Sequence, residues 1–147
     1  MNSKTRNPLI NDEKHYLTMN NYCLNKFGKK TYRIALNGDF SCPNRDGTIS
    51  HNGCLFCSSS GSGDFAGERT KPIKEQFNDI VKMMKNKWPD GYHIAYFQAN
   101  TNTYADVDTL KKYYETILNL DNVVGLSIAT RPDAISDEVL EYLTELN

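Results

Sequence analysis

The chain has 147 residues, 39% of them hydrophobic, with 17 basic and 18 acidic side chains and a formal charge of −1. That length allows one compact domain with its own core, and the near-neutral balance leaves nucleic-acid binding without support from charge. Residues 1–11 lack the apolar run of a signal peptide, and no apolar stretch approaches the ~20 residues of a membrane helix, so the sequence reads as soluble and cytoplasmic.

Tyr16, Met19, Cys23 and Phe27 recur at three- and four-residue steps. This predicts a helix over residues 11–27, capped by Asn11 or Asp12 and stopped at Gly28. Residues 31–36 are rich in β-branched, aromatic and aliphatic side chains and predict a strand. Residues 37–71 are full of Gly, Ser, Asn and Asp, without periodicity. After Pro72, the residues Ile73, Phe77, Ile80, Val81, Met84 and Trp88 share a helical face, and Pro89-Asp90-Gly91 make a turn. Residues 93–97 read as a short buried strand. Asp106 caps a helix whose face is Val107, Leu110, Tyr114, Ile117 and Leu118. Residues 123–128 predict a third strand, and Ser136 opens a last helix with Val139, Leu140 and Leu143.

Strands that alternate with amphipathic helices imply an α/β fold with a parallel sheet covered by helices. Right-handed crossovers bring the strand C-termini to one edge, where such proteins place their sites. The expected organisation is an N-terminal helical extension, residues 1–30, followed by three βα units, residues 31–147. Three units are too few to close a barrel, and the last helix lacks a capping glycine, so the chain reads as the first part of something larger.

The connection from the first strand to its helix far exceeds the usual two to six residues and needs an organiser. Three of the four cysteines lie in it. Clustered cysteines in a reducing compartment point to metal or catalysis rather than disulfides. Cys54 and Cys57 are separated by two residues, and Cys42 lies eleven intervening residues upstream, with Gly47 and Gly53 between to let the loop fold back. A four-iron cluster ordinarily takes four cysteines, so three leave one iron open to a ligand. Cys23, on the first helix, reads as a small buried core thiol. His51 supplies a competing reading, in which Cys42, His51, Cys54 and Cys57 close a structural zinc site and staple the loop without catalysis. Lys29, Lys30 and Arg33 read as a solvated basic group, and His93 as structural. Arg131, at a strand end, fits a site role or a salt bridge equally.

The stretch Gly38-Asp39-Phe40-Ser41-Cys42-Pro43-Asn44-Arg45-Asp46-Gly47, followed by Gly53-Cys54-Leu55-Phe56-Cys57, resembles the cluster loop of radical S-adenosylmethionine (radical SAM) proteins. In particular it is similar to a bacterial subgroup related to the catalytic subunit of Elongator. Most of the superfamily spaces its cysteines C-x3-C-x2-C, and this chain widens the first gap, as the Elongator-like branch does. The segments Tyr96-Phe97-Gln98-Ala99-Asn100-Thr101-Asn102-Thr103-Tyr104 and Ser127-Ile128-Ala129-Thr130-Arg131-Pro132-Asp133 are also similar to that branch.

The resemblance implies part of a TIM-type barrel and an enzyme with a [4Fe–4S] cluster on Cys42, Cys54 and Cys57. The open iron would chelate S-adenosylmethionine, whose reductive cleavage yields a 5′-deoxyadenosyl radical. Phe56 would pack near the adenine. Gln98, Asn100, Thr101 and Thr103 would replace the glycine-rich motif that holds the methionine amino group, and Thr130 and Arg131 would add contacts after the third strand. Backbone N–H groups around Gly53 and residues 58–60 are the expected donors to cluster sulfur. The implied partners are S-adenosylmethionine, a reductant such as flavodoxin or ferredoxin, and a substrate that the sequence does not identify. RNA is suggested only by the Elongator kinship, no membrane partner is implied, and no catalytic side chain is assigned. The other readings are a zinc-stapled binding module and the remnant of a split gene.

Overall fold

The computed structural model describes residues 15–147. Its order is α1 (Met19–Phe27), β1 (Thr31–Leu36), α2 (Ile73–Met84), β2 (Tyr92–Phe97), α3 (Val107–Leu118), β3 (Val123–Ile128), a short 3-10 turn (Pro132–Ala134) and α4 (Asp137–Leu146). The strands form one parallel sheet in the order β1-β2-β3. A mixed α/β architecture of three successive strand–helix units is therefore present.

The caps explain the boundaries. Asp106 accepts from the Thr109 N–H at 2.8 Å and opens α3, and Ser136 accepts from the Val139 N–H at 3.3 Å and opens α4. Gly28 ends α1 in the left-handed region, with φ 73°. The first helix is shorter than its periodicity predicts. Asn11 and Asp12 lie outside the described residues, residues 15–18 are not helical, and Thr18 caps α1 by accepting from the Asn21 N–H. The predicted apolar face also fails there: Tyr16 and Met19 are exposed, and Cys23 alone of the four is buried. Trp88 likewise falls beyond α2, in the turn, where it packs against the Tyr32 ring.

One face of β1 and β2 is more deeply buried than the other. Tyr32, Ile34 and Leu36 of β1 and His93, Ala95 and Phe97 of β2 are buried, and the alternate residues are half-buried or exposed. The buried face packs on α2, α3 and α4 through Phe77, Leu110, Tyr114, Ile117, Val139 and Tyr142. Phe97 meets Tyr114 edge-on at 4.9 Å, and Tyr114 stacks on Tyr142 at 6.4 Å. Each large side chain so buried contributes about 1.5–3 kcal/mol. On the open face, Arg33 lies over the Tyr96 ring at 5.4 Å, which takes it out of the purely solvated basic group.

The register sets up the site. Leu36 is level with Phe97, and Phe97 with Ile128. The connections that begin at Asn37, Gln98 and Ala129 therefore leave the sheet side by side. β3 absorbs one irregularity, between the His93 and Ile94 positions, before reaching that level edge. Among the described residues no helix is long and apolar enough to cross a membrane.

Candidate metal and cofactor site

The 37–72 connection is closed into two fastened parts. In the first, the Pro43 carbonyl accepts from the N–H groups of Ile49 (2.8 Å) and Ser50 (3.3 Å), and the Asn44 carbonyl accepts from Gly53 N–H (2.8 Å). This narrow turned-back loop brings Cys54 to Cys42 across the wide sequence gap. Gly47 and Gly53 both have positive φ, and a Cβ on Gly47 would strike the His51 ring at 2.3 Å. The Arg45 guanidinium donates to the carbonyls of Ser58 and of Ser59, just past Cys57, the latter at 2.9 Å.

The second part is pinned to the sheet. Asn100 N–H donates to the Gly61 carbonyl at 2.9 Å, and Gln98 Nε2 donates to the Ser62 carbonyl at 2.8 Å. A Cβ on Gly61 would lie 2.0 Å from Asn100 Oδ1, so only glycine permits this approach. Farther along, Gly67 N–H donates to the Ala35 carbonyl, and Gln76 bridges the backbone of Asn37 and Lys71. Buried Asn102 ties the ends of β2 and β3 together, donating to the carbonyls of Phe97 (3.1 Å) and Ala129 (2.8 Å).

The result is a cavity of about 440 Å³ at the C-terminal edge of the sheet. Cys42, Cys54 and Cys57 line it together with Phe56, Gln98, Asn100, Thr101, Thr130 and Arg131. One predicted cofactor residue is absent. Thr103 is buried behind the wall, where its hydroxyl donates to the Ala134 carbonyl at 2.6 Å and pairs with the Thr130 hydroxyl. Its hydroxyl is thus engaged with Thr130 and Ala134 and does not face the cavity. Gln98 reaches the cavity, but its amide nitrogen is committed to Ser62. Phe56 stands largely exposed at the mouth.

Each thiol has a polar neighbour. Asn44 Nδ2 lies 3.0 Å from Cys54 Sγ, and Ser62 Oγ lies 3.4 Å from Cys57 Sγ. Burial pushes the Cys42 thiol up, but hydrogen bonds from Thr101, the Asn44 backbone N–H and Arg131, together with the Arg131 charge, outweigh it and hold the thiol below its ordinary value. Arg131 also grips Asp133 through two parallel bonds of 2.6 and 2.7 Å, so it is at once a salt-bridge partner and a cavity residue. Of the expected backbone donors to sulfur, the Gly53 N–H is engaged with the Asn44 carbonyl. Asn44, Arg45 and Ser62 escaped the sequence reading as individual site residues. Their only signal was Asn44 and Arg45 lying inside the Cys-Pro-Asn-Arg-Asp-Gly stretch.

The fourth cysteine and His51 stand apart from the three thiols. Cys23 is buried on α1, away from the cavity lining. His51 is exposed over Gly47 and is not among the residues that line the cavity with the three thiols. Among the described residues no three Cys, His, Asp or Glu side chains gather around a single ion position. All four cysteines are free of disulfides.

No family model matches the chain, and no solved structure does either. It is similar to the protein YtqA of Bacillus subtilis, 56% identical over 140 residues, which covers 95% of this chain and 44% of that protein. YhcC of Escherichia coli is 39% identical over 120 residues, covering 82% of this chain and 38% of the relative. MJ0486 of Methanocaldococcus jannaschii is 35% identical over 129 residues, covering 84% and 38%. The chain thus spans less than half the length of these relatives, and none of the three names states an activity.

Proposed function

We propose that the chain is the cluster-binding part of a radical SAM enzyme, with Cys42, Cys54 and Cys57 as ligands to a [4Fe–4S] cluster that leaves one iron open. The observation that carries this reading is the single cavity at the level strand ends that gathers the three thiols with Phe56, Asn100, Thr101, Thr130 and Arg131. When bound, such a cluster supplies the electron for reductive cleavage of S-adenosylmethionine.

The protein's own part is to hold and orient. The turned-back loop and Arg45 keep the thiolates around one opening, and the Asn100 and Gln98 bonds fasten that loop to the sheet. Thr130, braced by Thr103, and Arg131, braced by Asp133, present a hydroxyl and a cation to the polar end of a bound cofactor. Phe56 offers an aromatic face at the mouth. The less buried face of the sheet, with Arg33 and Tyr96, supports the partial-barrel reading, since it would become a barrel interior.

The test is metal and sulfide content after anaerobic purification and reconstitution. The expected result is about four irons and four sulfides per chain, abolished by Cys42→Ala. One zinc and no sulfide would overturn the reading. Formation of 5′-deoxyadenosine from S-adenosylmethionine under dithionite is the second expected result, for a protein extended to the length of its relatives.

A further inference from the structure

We propose that Asn44 is a positioning residue that fixes Cys54 against Cys42 and, with Ser62, sets the electron affinity of the cluster those thiolates hold. The inference rests on the cluster reading above. Asn44 acts through two groups: its side-chain amide donates to Cys54 Sγ at 3.0 Å, and its carbonyl takes Gly53 N–H at 2.8 Å. It lies two residues after Cys42 and so ties that end of the widened gap to Gly53 and Cys54. Ser62 supplies the corresponding O–H donor to Cys57, at 3.4 Å, and is held in the left-handed region with φ 64°. That strained conformation brings its side chain back toward the thiol, while its carbonyl is taken by Gln98.

The chemistry follows from charge. A donor aimed at a ligating sulfur withdraws electron density and favours the more negative, reduced state of the cluster. A residue that only shapes the loop would instead change how much cluster is held, leaving the electron affinity of each filled site as it was. In the measurement one electron passes from dithionite to the cluster, and no protein bond is made or broken.

The experiment compares wild type, Asn44→Leu, Asn44→Asp, Asn44→Gln and Ser62→Ala, each reconstituted anaerobically. Iron and sulfide are counted first, and the reduction midpoint of the filled sites is then followed by electron paramagnetic resonance. Asn44→Leu and Ser62→Ala are expected to shift the midpoint to more negative potential. Asn44→Asp, which loses the donor and adds a charge, shifts it farther, and Asn44→Gln returns it toward wild type. Unmoved midpoints in filled Asn44→Leu and Ser62→Ala overturn the proposal, as does a lower iron count with the remaining clusters at the wild-type midpoint. If Asn44→Leu holds no cluster, Ser62→Ala, which removes only a hydroxyl, and Asn44→Gln decide the matter. Absence of iron and sulfide from the wild type itself marks failure of the cluster reading, and is distinct from any of these outcomes.

Discussion

Behind the sheet, Ile34, Phe97, Leu110, Tyr114 and Ile117 are sealed from solvent, whereas in the cysteine loop Leu55 and Phe56 stand almost fully exposed. The first region is held by apolar burial and stacked rings. The second has almost no core of its own and is held by backbone bonds through Pro43, Asn44 and Arg45 and by close approaches at glycine. Burial of several large side chains is worth far more than a handful of hydrogen bonds at about 1 kcal/mol net each. The fold should therefore outlast the loss of its site, whereas the site should not outlast the loss of the fold.

The largest effect that tests this contrast is Phe97→Ala, which empties a buried ring position and is expected to cost about 3–5 kcal/mol in urea unfolding. Cys42→Ala on the same cluster-free chain should cost less than about 1 kcal/mol. Equal losses would mean that the two regions form one cooperative unit. Gly61→Ala comes next. It requires a positive φ of 65° from alanine and places a methyl against Asn100, and about 1–3 kcal/mol of local strain is expected. Hydrogen exchange should report it as faster opening of the loop, with the helices behind the sheet unchanged.

A pH effect belongs to the buried side. Burial pushes the His93 imidazole below its ordinary value near 6.5, and its Nδ1 has no partner. Between the two values the unfolded chain holds the extra proton, so this contribution to stability is complete above about pH 6.5 and declines as pH falls toward the folded value. His93→Gln should flatten that acid limb. The smallest effect is Leu55→Ser, an exposed change expected to stay within about 0.5 kcal/mol.

Much of the buried region was legible because its signals are local. Asp106 and Ser136 cap as expected, and β1 and β3 occupy their predicted residues, since short side chains before an apolar period and β-branched runs act within a few positions. The start of α1 was misread because three- and four-residue spacing reports a face only when something packs on it, and Tyr16 and Met19 face solvent. The site was legible as a set of residue types. Its closure was not, since the contact of Asn44 with Cys54, the withdrawal of Thr103 behind the wall and the approach of Gly61 to Asn100 all join residues by paths that no periodicity encodes.

The unequal connections of the sheet bear on the order in which it assembles. β1 and β2 are separated by residues 37–91, more than twice the stretch of 98–122 between β2 and β3. Loop-closure entropy grows with the logarithm of length, so β2–α3–β3 can pair at less entropic cost, by roughly 0.7 kcal/mol. The connection that carries the cysteines is thus the costlier of the two to close.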